Sequence, residues 1–272
     1  MWETLDTDFR PSSTRLLSDL LSPQSSIHAH VREMDILDAA KDPVRENRAQ
    51  MFISMLPSDR LTTFMSDEKI STTTLHLLLK CHQKIEYLWT RFVDRDEERF
   101  GDVDVSLKTR PWAPPLLSHV IGFNFYMPAT SDQGAKDFEF ISCVMPRLQN
   151  LDIITDQMGR NINHCLSEHH ESRFANLNSL SVQNLSLGNG SKNLIGRLEP
   201  IKLKRLELWA CSDIGPFLSE LSKALTDTPG QFTKFQIKYP EDELVEESQS
   251  ATVNFLEQFF RPSTLGTGHW RP

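Results

Sequence analysis

His164-Cys165 and His169-His170 are the densest group of metal-capable side chains in the sequence. Zinc asks for tetrahedral His and Cys ligands. The local spacings that supply them are two histidines one helical turn apart, as in H-E-x-x-H, or paired cysteines. Neither spacing is present, so a polar helix end at the surface accounts for these residues. Gly188-Asn-Gly190-Ser-Lys192 has the composition of a phosphate-binding loop. That loop needs G-x-x-x-x-G-K-[ST], and here Gln183 stands at the first glycine and Ser-Lys replaces Lys-Ser. A turn ahead of a helix is the better reading. Asp94, Asp96, Glu97 and Glu98 offer oxygen ligands of the kind calcium takes. Arg99 occupies the turn-glycine position, however, and Val105 that of the bidentate glutamate. No G-x-S-x-G elbow occurs, and no pair of carboxylates is singled out for acid–base work. The sequence therefore predicts no enzyme, no cofactor and no metal.

Recognition is the chemistry that remains. Side chains alternate along a strand, so every second residue faces away from the core. Placing strands on the alternating apolar segments turns outward Tyr87, Trp89 and Arg91; Gly122, Asn124 and Tyr126; and Asn150, Asp152 and Ile154. Next come Ser179, Ser181 and Gln183; Arg205, Glu207 and Trp209; and Lys234, Gln236 and Lys238, with Tyr239 following. All three tyrosines and two of the five tryptophans fall in this set. Tyr, Trp and Arg dominate binding hot spots. The candidate partner-binding residues are Tyr87, Trp89, Arg91, Tyr126, Asp152, Arg205, Glu207, Trp209, Lys238 and Tyr239. The competing reading is that aromatic residues simply favour strands.

The elements that would position them repeat. Leu203-Lys-Arg-Leu206-Glu-Leu208-Trp-Ala-Cys211 fits the leucine-rich-repeat pattern L-x-x-L-x-L-x-x-N/C. Its first, fourth and sixth positions recur as Leu148, Leu151, Ile153; Leu177, Leu180, Val182; and Phe232, Phe235, Ile237. Looser copies are Val31, Met34, Ile36; Leu61, Phe64, Ser66; Ile85, Leu88, Thr90; and Val120, Phe123, Phe125. The starts lie 30, 24, 35, 28, 29, 26 and 29 residues apart. Between them, helices are predicted from Pro43 to Met55, after an N-cap at Ser71, from Asp137 to Val144, after Ser212 or Asp213, and from Thr252 to Phe260. A strand, a helix and a strand some 28 residues on imply parallel pairing. The expected fold is an α/β leucine-rich-repeat solenoid, parallel strands on the concave face and helices on the convex face. Residues 1–25 are a linker or cap, 26–260 the repeats and 261–272 a tail. An acidic, Pro-rich loop interrupts the array at 94–115. A second acidic run, Glu241 to Glu247, is a solvated loop.

Bulk properties bound the partners. The net charge of −8 argues against nucleic acid and anionic membranes. No apolar run approaches the roughly 20 residues that span a bilayer, and Met1-Trp-Glu-Thr-Leu-Asp-Thr-Asp lacks a signal peptide's apolar stretch. Cys81, Cys143, Cys165 and Cys211 are scattered, as expected of reduced core thiols in cytoplasm or nucleus.

The order of segments resembles the repeat region of filamentous-fungal F-box/leucine-rich-repeat proteins over roughly residues 26–260. The resemblance rests on His30-Val-Arg-Glu-Met-Asp-Ile36, Leu56-Pro-Ser-Asp-Arg-Leu61, Ile70 to Leu79, Lys84-Ile-Glu-Tyr-Leu88, Pro146 to Ile153 and the Leu203–Cys211 unit. It implies a substrate-recognition subunit of a cullin-type ubiquitin ligase, whose repeats hold a protein target while an F-box holds the cullin adaptor. No F-box is evident: some 25 residues precede the first strand, and an F-box needs about 40. The alternatives are a truncated or degenerate member without a stable role and, less favoured, an enzyme whose catalytic groups converge from distant positions.

Overall fold

Each of the eight alternating segments forms a strand. The structure, a computed structural model, describes residues 4–7, 18–19, 22, 24–36, 43–93, 111–127, 131–166, 173–225, 232–239 and 246–259; some side chains within these, Arg91 among them, lie outside it. The chain divides into two compact units, Met1–Phe125 with Cys143–Leu148, and Tyr126–Ser142 with Gln149–Pro272. Both are α/β with parallel strands.

In the first unit, β1 (Thr4–Thr7), β2 (Glu33–Ile36), β3 (Thr63–Ser71), β4 (Tyr87–Val93) and β5 (Gly122–Tyr126, whose last residue belongs to the second unit) pair in chain order. One register row joins Leu5, Met34, Phe64, Leu88 and Phe123. The last four are buried. Behind them lie Phe52 and Ile53 of α1 (Pro43–Met55) and Leu75, Leu78 and Leu79 of α2 (Thr72–Cys81), all buried. The register of β3 on β4 shifts between Met65 and Lys69. The shift falls just after Met65, where the repeat puts polar Ser66 in place of an apolar sixth residue. Strand β3 then runs to Ser71, which caps α2 by accepting a hydrogen bond from the Thr74 amide.

The second unit pairs β6 (Asn150–Ile154), β8 (Ser179–Gln183), β10 (Arg205–Trp209) and β11 (Lys234–Lys238) in parallel; the short β7 (Arg160–Asn161) and β9 (Leu185–Ser186) pair apart from them. Leu151, Leu180, Leu206 and Phe235 form one row, and Ile153, Val182, Leu208 and Ile237 the next. The buried Ile214, Phe217, Leu218, Leu221 and Leu225 form one apolar face of α6 (Ile214–Leu225). Phe255 of α7 (Glu246–Phe259) stacks on Phe235 at 5.2 Å. Full burial of a leucine such as Leu206 contributes on the order of 1.5–3 kcal/mol.

The backbone repeats as closely as the side chains. In the first unit the second residue of each segment accepts through its carbonyl from the second and third amides of the next. Arg32 accepts from Thr62 and Thr63, Thr62 from Glu86 and Tyr87, and Glu86 from Ile121 and Gly122, at 2.7–3.3 Å. In the second unit Gln149, Asn178 and Lys204 do the same, at 2.7–3.1 Å. Ahead of Ile85, Val120, Leu148, Leu177 and Leu203, one tight turn returns the amide to the carbonyl three residues back. Parallel strands and a helical or turn return account for this recurrence.

Some expectations change. Residues 1–25 contain a strand, β1, because Leu5 and Thr7 match the register of Met34 and Ile36. The end of the 94–115 insertion is not a loop. Ala113 to Leu117 form the short helix α3, with Ala113 and Leu117 buried; prolines at its start lose no helical hydrogen bond. The rest of that insertion lies outside the described residues, as does the 261–272 tail. Helix α4 (Ser131–Val144) begins six residues before Asp137, and α7 takes in the end of the second acidic run. Between Gln183 and Arg205 the return is one short helix, α5 (Ser191–Gly196), and a 3-10 turn. Cys143 is exposed rather than a core thiol, Cys81 is half-buried and Cys211 is buried.

Candidate binding face

Alternation carries the predicted outward residues away from the core. In the first unit Tyr87 and Trp89, both half-buried, lie two residues apart on β4. Their rings stack at 6.3 Å and 12°. Tyr87 pairs across the sheet with Gly122, where a Cβ would meet Tyr87 Cδ1 at 2.5 Å and Trp89 Cζ2 at 3.3 Å. The two rings therefore cover the bare backbone of Gly122, and the glycine is required by this close approach. Arg91 sits opposite Lys69 on β3, with its side chain outside the described part.

The second unit gathers Asp152, Arg205, Glu207, Trp209 and Lys238 on one sheet face, which Lys234 also joins. Parallel register puts Asp152, Ser181, Glu207 and Gln236 in one row, and Ile154, Gln183, Trp209 and Lys238 in the next. Glu207 is the hub. Lys234 Nζ bridges to its Oε1, and Trp209 donates Nε1–H to its Oε2 at 3.2 Å. Lys238 Nζ lies 6.0 Å from the Trp209 ring centre, the outer limit of a cation–π contact. The indole is thus held from its edge and its face. Asp152 is different. It is half-buried, and no hydrogen bond or ion pair reaches its carboxyl among the described residues. Burial pushes that carboxyl up to about 7, with the charge of Glu207 adding to the shift.

Tyr126 ends β5, half-buried. Tyr239 is a correction. Its hydroxyl lies 2.8 Å from Thr252 Oγ1 on α7, so it packs with the helices and not on the open face. Its parity with Phe235 and Ile237 is the sequence signal for that. Lys234 and Gly122 belong to the clusters although neither is among the candidates. The signal is their third-position register, opposite Arg205 and Tyr87.

The other groups do not converge. His164 is exposed in a 3-10 turn, Ile162–Cys165, and His169 and His170 lie outside the described residues. Among the described residues no three His, Cys, Asp or Glu come together at metal-binding distance. Ser191 opens α5 directly after the glycine pair, as a turn before a helix. No helix of the described residues is long and apolar enough to cross a membrane.

No family model matches the chain, and no curated protein matches it. Among solved structures, that of Mss116p (NTE and C-tail double deletion) bound to ssRNA and AMP-PNP aligns over 95% of this chain and 60% of that one. The sequence identity is 12% and the TM-score 0.22. This chain spans less than two thirds of that protein's length, and a likeness at this TM-score carries no argument.

Proposed function

We propose that this protein is a non-catalytic protein-binding module. In this reading it is a leucine-rich-repeat solenoid whose parallel strands form a concave recognition face and whose helices form the convex side. Its resemblance to fungal F-box/leucine-rich-repeat proteins makes target recognition for a cullin-type ubiquitin ligase, in cytoplasm or nucleus, the function to test. One observation carries the reading. The same two-amide contact to a second-position carbonyl recurs in successive segments while the outward residues vary freely, from Ser179 and Ser181 to Arg205, Glu207 and Trp209. A constant frame under a variable surface is what a repeat-built recognition surface requires.

The experiment is a pull-down of the tagged 272-residue chain from a filamentous-fungal lysate, read by mass spectrometry beside Trp89→Ala and Trp209→Ala. Neither ring is in the core, so both variants should keep a cooperative melt. Each should lose a common set of captured proteins, and recovery of the cullin adaptor in all three would support the ligase role. A captured set unchanged by both variants sinks the recognition face; absence of the adaptor sinks the ligase role alone.

A further inference from the structure

Asp152 is the unbalanced group of the second unit's open face. Two carboxylates share its central row, separated by the short side chain of Ser181 on β8. Glu207 is fully engaged by Lys234 and Trp209. Of the cations, Lys234 is committed to Glu207 and Lys238 lies over Trp209, both toward β11. Arg205 is exposed and sits in the adjacent row, level with Ser179 rather than Ser181. Nothing in the described structure donates to Asp152. It is the middle residue of β6, two residues before outward-facing Ile154.

We propose that the face formed by β6, β8, β10 and β11 takes a protein segment that presents a lysine or arginine side chain to Asp152. This rests on the reading of that face as a recognition surface and names the chemistry it selects. The argument is charge complementarity. A half-buried carboxylate has lost water without gaining a donor, and its row-mate Glu207 adds like charge. An incoming ammonium or guanidinium supplies both the donor and the opposite charge, a pairing stronger than a neutral hydrogen bond. Its aliphatic stem finds apolar surface on Ile154, so the long side chain can lie flat while its head reaches the acid. An acidic segment would instead seek the β11 side, where Lys234 and Lys238 are already engaged. The raised carboxyl pKa agrees with an unmet need for a cation.

The test selects random twelve-residue peptides displayed on phage against the whole protein, then against Asp152→Asn. The substitution is close to isosteric and removes a desolvated charge, so the variant should fold at least as well; its thermal melt checks this. Peptides selected on the native protein should carry a lysine or arginine at a fixed position. A synthetic copy should bind Asp152→Asn about ten- to hundredfold more weakly, the worth of one charge-assisted hydrogen bond. Replacing the peptide's basic residue by norleucine should cost the same on the native protein and nothing further on the variant. Peptides that lose binding with Trp209→Ala but show no basic bias, or an acidic one, overturn the inference and leave the recognition face standing. Selection that yields no binder, or binders indifferent to both Asp152→Asn and Trp209→Ala, overturns the inference and the recognition face together.

Discussion

His82 is fully buried, its Nε2 3.1 Å from the Ile53 carbonyl, with no partner for Nδ1 among the described residues. It therefore sits as the neutral Nε2–H tautomer. Loss of water disfavours the imidazolium, outweighing the Ile53 carbonyl and the charge of Asp59, and the pKa falls below 6.5. A folded-state pKa below the unfolded one means stability is intact above 6.5 and drains away as pH falls below it. Asp152 runs the other way. Its carboxyl is raised from 3.8 to about 7, so its contribution is present below 3.8 and lost as pH rises through 7. His82→Gln should flatten the acid limb of the melting-temperature profile, and Asp152→Asn should raise the melting temperature at pH 8 but not at pH 4. Parallel pH profiles for either variant and the native protein would remove the corresponding assignment. The thiols divide by position. Cys143 is exposed, while burial pushes the Cys211 thiol up to about 11 and holds it against the Val182 carbonyl at 3.3 Å. Iodoacetamide at pH 8 should label Cys143 within minutes and Cys211 only after unfolding; equal rates would place Cys211 at the surface. Parity along a strand showed which of these residues face outward. It could not show that Glu207 is satisfied and Asp152 is not, because that depends on Lys234 and Trp209 arriving from other positions.

Helix α2 shows how a single element is held. Its first turn leaves amides without helical acceptors. The Ser71 hydroxyl takes the Thr74 amide at 3.2 Å, and Glu46 of α1, buried, accepts through Oε1 from the Ser71 amide at 2.9 Å and from the Ser71 and Thr74 hydroxyls. A carboxylate near a helix N-terminus is favoured by the helix dipole as well. Ser71→Ala should cost about 0.5–2 kcal/mol as a lost cap. Glu46→Ala should cost about 1–3 kcal/mol by stranding buried donors. Because the two act through one cluster, denaturant melts of the double variant should show less than the summed loss. Strict additivity would mean that Glu46 does not act through the α2 terminus. The Ser71 cap was readable in the sequence, since a serine stood before an apolar helical run. Glu46 was not, because its partner lies 25 residues away across a strand. The 111–115 segment was misread for a related reason: Pro-Pro reads as a breaker, yet at a helix start the missing N–H costs nothing.

At the scale of the whole molecule, period carried most of what the sequence revealed. All eight strand positions follow from apolar spacing, and β1, with Leu5 and Thr7 at the positions that Leu88 and Thr90 hold in β4, is a ninth strand of the same kind. The division into two units is invisible in that spacing, since Val120 to Leu148 is 28 residues, close to the 29 of the next step. Leu206 lies in a row with Leu151, Leu180 and Phe235. Leu206→Asp should abolish amide-exchange protection across β6, β8, β10 and β11 together while β2, β3 and β4 keep theirs. Loss confined to β10 would show that the row does not act cooperatively. The central outward row, Asp152 to Gln236, also behaves as a vernier. Its steps are strand spacings of about 4.8 Å. A helix laid along it advances about 5.4 Å per turn, so it slips by roughly 0.6 Å per step and stays nearly in phase over four strands. An extended chain repeats its same-side residues about every 6.8 Å and falls out of phase by roughly 2 Å at the first step. Pitch alone therefore sorts the shapes that can meet every strand of this face, and favours a partner that offers one residue per helical turn.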